Sequence, residues 1–173
     1  MAQAPVIQWQ QSYGGSGNDY AYDIQPTPDG GYIMVGSSTS NNGNLTANQG
    51  NADCWVVKLN ATGTLQWQKS LGGSANEVAR SVANTADGGY IIAGGTGSND
   101  GDATGNHGGL NDYWVVKLNA EGNILWQKTF GGSNNDEAEV IQATADGGYI
   151  IAGASNSNNG NVSGNHGNYD AWI

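Results

Sequence analysis

One cysteine, three prolines and five cationic side chains in 173 residues close off several classes of protein at the outset. A lone Cys54 cannot build an intramolecular disulfide framework. Five Lys and Arg against 15 Asp and Glu, a formal net charge of -10, leave no basic face for a phosphate backbone, so nucleic acid is not an expected partner. Long apolar runs are missing too. Hydrophobic residues come in brief clusters such as Val56-Val57 and Ile150-Ile151, too short to span a bilayer. No helical periodicity lasts beyond a turn or two. What the chain has instead is 29 glycines and frequent Asn-Gly and Asp-Gly pairs, which are turn material, together with six tryptophans, and the expected class is all-β. The length suits one domain, 1–173.

The stretch 112–132, D-Y-W-V-V-K-L-N-A-E-G-N-I-L-W-Q-K-T-F-G-G, reads as a β-hairpin whose short loop ends in Gly122, where the left-handed backbone of a bulged turn favours glycine. It occurs one unit earlier at 53–73. Three markers give the same period: D-G-G-Y at Asp29, Asp87 and Asp146, W-Q at Trp9, Trp67 and Trp126, and D-x-W at Asp53, Asp112 and Asp170, all 58 or 59 residues apart. Three repeats of a four-stranded antiparallel sheet are predicted, with units at 14–71, 72–130 and 131–173 and an N-terminal strand 5–13 belonging to an incomplete unit. Pro26 and Pro28 in the first copy indicate an edge or exposed strand. Such a sheet cannot cover its own apolar face, so copies must stack, and Trp9, Trp55, Trp67, Trp114, Trp126 and Trp172 are expected between sheets. The Cys54 position holds Tyr113 and Ala171 in the other units, so it is a tolerant site with no nucleophile or ligand role.

These motifs, W-Q-K-T-F-G-G-S-N-N-D-E-A, D-G-G-Y-I-I-A-G and D-Y-W-V-V-K-L-N-A-E-G, resemble a short bacterial β-propeller repeat over nearly the whole chain. Glu77 departs from the Asp found at Asp19 and Asp136. The resemblance implies β-propeller-type blades in secreted or cell-surface proteins that carry many such units, generally without a known activity. Ala2-Gln3-Ala4 also looks like the tail of an export cleavage site. Three units are few for a propeller, which typically has 4–8 blades. The chain is therefore expected to be part of a longer array, or to complete a ring with further copies or other protomers. Closure on itself as a threefold β-prism or β-trefoil is the alternative.

Polar chemistry concentrates in one long loop per unit. In the middle loop Asp100 and Asp102 flank Gly101, and with Asp112 they are the candidates for calcium; no other cofactor is indicated. The other loops carry Asn42 and Asn44, or Asn159 and Asn161, at the acidic positions, so side-chain-to-backbone turns explain the pattern as well. Asn106, His107, Asn165 and His166 are the candidate ligand-binding residues of these loops, with a loop-capping hydrogen bond as the simpler role for the histidines. A zinc site would need further nitrogen or sulfur ligands. No catalytic constellation appears, because the repeated acids occupy equivalent environments whereas a carboxylate pair that does chemistry needs different ones. The expected function is a non-catalytic extracellular scaffold or protein-binding surface; the alternative is a threefold lectin-like module binding a glycan.

Overall fold

A computed structural model describes residue 4 and residues 6–173; Ala2 and Gln3 of the cleavage-like tail and the first residue of the expected strand 5–13 lie outside the described residues. Eleven strands and no helix make up the described chain. Among the described residues no helix is long and apolar enough to cross a membrane.

The strands form three antiparallel sheets. The first runs β1 (Asp19–Pro26), β2 (Tyr32–Ser38), β3 (Asp53–Leu59), β4 (Leu65–Leu71) in spatial order. The second repeats it with β5 (Glu77–Asn84), β6 (Tyr90–Thr96), β7 (Asp112–Leu118) and β8 (Ile124–Phe130). The third has β9 (Asp136–Ala143), β10 (Tyr149–Ser155) and the short β11 (Asp170–Trp172). The sheets are not closed into a barrel. Of the expected N-terminal strand 5–13, residues 6–13 form no strand, because no described strand lies alongside to supply ladder bonds. β1 is an edge strand that ends at Pro26, where a missing N–H costs no ladder bond, and Pro28 lies beyond it in the turn.

Local chemistry sets each turn. Gly63 and Gly122 close the β3–β4 and β7–β8 hairpins with φ of 77° and 78°, and the register slips by one residue at Lys58/Leu59 and Lys117/Leu118, as a bulged hairpin requires. Asn60 Oδ1 accepts the N–H groups of Thr62 and Thr64 (3.0 and 2.8 Å) across the first of these turns.

The sheets stack through alternating side chains. Ile33, Val35, Cys54, Val56 and Leu71 on one face of the first sheet meet Ala79, Val82, Tyr90, Ile92, Trp114, Val116 and Leu118 of the second. The opposite face of the second, Ile91, Ala93, Tyr113 and Val115, meets Ala138, Ile141, Tyr149, Ile151 and Trp172 of the third. β5 lies against β1, β2 and β3, and β9 against β5, β6 and β7, so each sheet enters its predecessor by its first strand. Sandwiched between two neighbours, β6 and β7 are buried at every residue. Each fully buried Val or Ile contributes about 1.5–3 kcal/mol, so the junctions carry much of the fold's stability.

The tryptophans divide into two sets. Trp55 and Trp114 are 2% exposed and lie within the sheet faces. Trp9, Trp67 and Trp126 sit at the periphery, tilted against Tyr32, Tyr90 and Tyr149 of the following sheet at centroid distances of 5.9, 6.0 and 6.4 Å. Trp172 packs 4.6 Å from the Tyr113 ring.

Candidate functional site: long loops, sheet junctions and an open cleft

The long loops spend their polar groups on the backbone of the G-G-S segments. In the first unit Asn44 Oδ1, Asn42 Oδ1 and Ser40 Oγ accept the N–H groups of Gly14, Ser16 and Gly17 at 2.8–3.0 Å. In the second, Asp102, Asp100 and Ser98 accept from Gly72, Ser74 and Ala75 at 3.2, 2.7 and 2.8 Å. In the third, Asn161, Asn159 and Ser157 accept from Gly131, Ser133 and Asn134 at 3.2, 2.8 and 3.0 Å. Asn and Asp interchange freely here because an amide oxygen and a carboxylate oxygen accept the same N–H.

The three calcium candidates are divided between two junctions. Asp100 and Asp102 cap backbone at the Gly72–Ser74 turn, whereas Asp112 accepts from His107 N and faces the Gly131 turn of the next junction. Among the described residues no three His, Cys, Asp or Glu side chains gather as a metal cluster.

The candidate ligand-binding residues are likewise engaged within their own loops. Asn106 donates to Thr96 O (2.9 Å) and accepts from Gly108 N (2.8 Å); Asn165 donates to Ser155 O (3.0 Å) and accepts from Gly167 N (2.7 Å). His107 Nδ1 lies 2.6 Å from Asp112 Oδ2, and His166 Nδ1 lies 2.9 Å from Asp170 Oδ2. Gln49 replaces the histidine in the first unit; its N–H keeps the bond to Asp53 Oδ2 at 2.8 Å, while its side-chain amide donates to Asp102 Oδ2 at 2.7 Å.

Two arrangements escape a residue-by-residue reading of the sequence. Lys58 and Lys117 are buried in mid-strand, yet their Nζ atoms reach Asp29 and Asp87 of the D-G-G-Y turns at 2.8 and 2.9 Å. Lys58 and the Thr27 hydroxyl hold the Asp29 carboxyl well below the usual carboxylate range, and the Thr85 hydroxyl and Lys117 do the same for Asp87. The available signal was that two of only five cations repeat at one position.

The second arrangement lies at the junctions, where acids face each other across a glycine. A Cβ placed on Gly72 would stand 2.6 Å from Glu77 Oε2 and 2.8 Å from Asp53 Oδ1; on Gly131 it would stand 2.6 Å from Asp136 Oδ2 and 2.8 Å from Asp112 Oδ1. All four acids are at most 1% exposed. Glu77 and Asp136 are well supplied with donors: Glu77 accepts from Gly73 N, Thr96 Oγ1 and Ser98 N, and Asp136 from Gly132 N, Ser155 Oγ and Ser157 Oγ. Asp53 Oδ1 and Asp112 Oδ1 have no hydrogen-bond donor among the described residues. Burial therefore pushes both the Asp53 and the Asp112 carboxyl above the usual range, and nearby Glu77 and Asp136 add to it.

The most varied chemistry lies where the first strands of the three sheets converge. There β1, β5 and β9 line an open cleft of about 810 Å³. One repeat position supplies Tyr22, Arg80 and Glu139, an aromatic, a cation and an anion in a row. The Arg80 guanidinium lies over the Tyr22 ring, 4.6 Å from its centroid, and its Nε is 3.8 Å from Glu139 Oε2. Asp23 accepts from Ser81 Oγ and Val82 N (3.1 and 2.9 Å), fixing the first strand to the second sheet. Arg80 is the chain's one arginine, and its Nε has no hydrogen-bond partner among the described residues. Beside it Tyr20 and Tyr22 stack nearly parallel, 6.1 Å apart and half-exposed. No sequence motif marks this position, because it differs in every unit.

No protein-family model matches the chain. It is similar to a regulatory protein, FlaEY, of Caulobacter vibrioides, 27% identical over 142 residues; the match takes in 73% of this chain and 14% of that much longer protein.

Proposed function

We propose that this chain is a non-catalytic repeat scaffold of β-propeller type, displayed outside the cell, that holds a variable binding surface on an invariant stack of sheets. One observation carries the reading. The same junction is built twice from the same positions, while the residues that differ between units, Tyr22, Arg80 and Glu139, meet at the one cleft all three sheets share. A protein that needs its repeats alike for stacking and unlike for recognition separates the two in this way. The long loops contribute rigidity, since their polar atoms already serve their own backbone. Export goes with the same reading and is supported by the resemblance of the repeat motifs to those of secreted and cell-surface proteins. The similarity to a small part of a longer bacterial protein fits a repeat used inside larger assemblies.

Excision of residues 72–130 tests this reading. It joins Leu71 to Gly131 in the register that Leu71 has with Gly72, so a stack whose stability is summed over neighbours keeps two sheets and a cooperative melt. An excised chain that cannot fold would instead point to a closed threefold prism or trefoil. The lectin-like alternative draws on the exposed, parallel Tyr20–Tyr22 pair beside Arg80, a platform suited to a sugar ring. Glycan-array binding lost on Tyr22→Ala would establish it, and a silent array would leave the scaffold.

A further inference from the structure

We propose that the cleft where β1, β5 and β9 converge binds a sugar residue that carries one carboxylate, with the Arg80 guanidinium as the group that receives it. This rests on reading the cleft as the recognition surface of the repeat scaffold, and it commits that surface to a glycan rather than a protein segment.

The fold fixes where the recognition residues stand and leaves their identity open. In each sheet the first strand is bulged at one point. Ala21 and Asp23 lie opposite Gly36 and Val35, Ala79 and Ser81 opposite Gly94 and Ala93, and Ala138 and Val140 opposite Gly153 and Ala152. Tyr22, Arg80 and Glu139 are therefore the extra residues, and a bulge re-aims the side chain it carries. The glycine opposite is required, because a Cβ on Gly36, Gly94 or Gly153 would overlap the carbonyl oxygen of Tyr20, Val78 or Glu137. Three bulges thus deliver three unlike side chains to one cleft of about 810 Å³.

Arg80 sits in the middle sheet, between Tyr22 of the first and Glu139 of the third. Neither neighbour gives its guanidinium a hydrogen bond. The guanidinium carbon lies 4.6 Å from the Tyr22 ring centroid, and Glu139 Oε2 is 3.8 Å from Nε, beyond hydrogen-bonding range. Nε is enclosed without an acceptor among the described residues, while the side chain as a whole is 32% exposed. The two terminal nitrogens are thus the donors a ligand meets. Held over a ring, this planar fork is pre-organised for a carboxylate, which it matches through two parallel bonds. Asn84, four residues further along β5, donates to Pro26 O at 2.9 Å and keeps a buried Oδ1 with no donor among the described residues. The cleft therefore pairs an unfilled donor fork with an unfilled acceptor, and the Gln25 and Gln142 amides line it beside them.

These features select the ligand. Protein partners anchor in well-packed, desolvated pockets, whereas tyrosine, amide, hydroxyl and charged side chains supply most of this open cleft's lining. A polyanion is disfavoured as well. The chain's net charge is -10, and Asp23 and Glu139 line the same cleft as the one cation that faces it. A single carboxylate on a ring of hydroxyls, as in a uronic acid, gives the guanidinium its partner, Asn84 Oδ1 a donor and the Tyr22 ring a flat neighbour.

Because Arg80 is the chain's one arginine, its Nε–H gives a single cross-peak in a proton–nitrogen correlation spectrum. Titration of the whole chain with methyl glucuronide is expected to move that peak to saturation. Its Kd should lie about tenfold or more below those of methyl glucoside, acetate and N-acetylglutamate amide, as the loss of a charge-assisted hydrogen bond or of its companions requires. Arg80→Lys keeps the charge and loses the fork, and is expected to weaken binding about tenfold, read on the side-chain amide peaks of Asn84 and Gln142. Glu139→Gln removes a like charge beside the bound carboxylate and is expected to tighten binding roughly threefold. Equal affinity for acetate would reduce the site to a charge contact, and equal affinity for the glutamate amide would point to a protein partner; either overturns the inference. An unmoved Arg80 peak, Arg80→Lys binding like the parent, or Glu139→Gln binding no tighter would overturn it too. If every probe is silent while the chain with 72–130 excised keeps a cooperative melt, the repeat reading survives and this ligand assignment alone fails.

Discussion

Gly122 offers a direct measurement of how tightly one sheet holds the next. Its φ is 78°, and a Cβ built on it would lie 2.8 Å from the ring of Trp67, a residue of the preceding sheet. Gly88 provides the control: its φ is 82°, it belongs to the same sheet, and nothing lies within 4 Å of its Cβ position. Gly88→Ala should therefore cost only the left-handed backbone, about 1–2 kcal/mol. Gly122→Ala carries that cost and an overpacking cost of about 1–3 kcal/mol as well, because an indole wedged against Tyr90 cannot swing away without losing its own contacts. Urea unfolding of both variants gives the difference, and a double-mutant cycle assigns it. In a Trp67→Ala background the cost of Gly122→Ala should fall to that of Gly88→Ala. Equal costs for the two glycines in the parent chain would refute the reasoning, since the Trp–Gly contact would then not restrain the junction.

Three further outcomes follow from the charged groups. Lys58→Met should let the Asp29 carboxyl titrate back towards the ordinary value of 3.8, read by NMR, because Lys58 is the main cause of its depression; the stability that the depressed group supplies above that value, and loses as pH falls through its folded value, should shrink with it. Asp53→Asn should be more stable than the parent by about 1–2 kcal/mol at pH 7, since the amide keeps an acceptor for Gln49 N and turns a donor towards Glu77. The Asp53 pKa is raised in the folded state, so its ionised form weakens the fold above the folded value and the penalty fades as pH falls towards 3.8; the advantage of the amide, followed by urea melts across pH, should vanish near pH 4. Asp100→Asn should leave the melting temperature unchanged, because Asn42 and Asn159 already accept the equivalent N–H, whereas Asp100→Ala, which removes the acceptor of Ser74 N, should lower it.

Much of the architecture is legible in the sequence because it is written in short-range signals. Strand, turn and hairpin follow from alternation, from Asp-Gly-Gly and from a glycine at the last loop position, and the period follows from their recurrence. β7 ends at Leu118 and β8 begins at Ile124, because the Asn119 N–H donates to Asn123 O as part of the turn. What the sequence hides is contact across elements. Asp29 is explained well enough by its own turn that nothing prompts a search for Lys58, which approaches only when β3 lies beside β2. Asp53 and Glu77 belong to different sheets, and their meeting depends on how the sheets stack. The cleft position escapes for the opposite reason: Tyr22, Arg80 and Glu139 share no chemistry, so no motif marks them.

Glu77 shows how far the repeats can drift without loosening the stack. Its side chain is one methylene longer than those of Asp19 and Asp136, yet all three accept the N–H of the second glycine in G-G-S, at 2.8 Å in each unit. The extra length is absorbed at the far end. Asp19 and Asp136 each take two serine hydroxyls, from Ser38 and Ser40 or from Ser155 and Ser157, whereas Glu77 takes the Thr96 hydroxyl and the Ser98 N–H. The acceptor atom is thus constrained and the side chain that delivers it is not. The same logic lets Asn stand for Asp throughout the long loops. A junction defined by the places of acceptor atoms tolerates substitutions that preserve those places, and it leaves the faces of the first strands free to diverge where the three sheets meet.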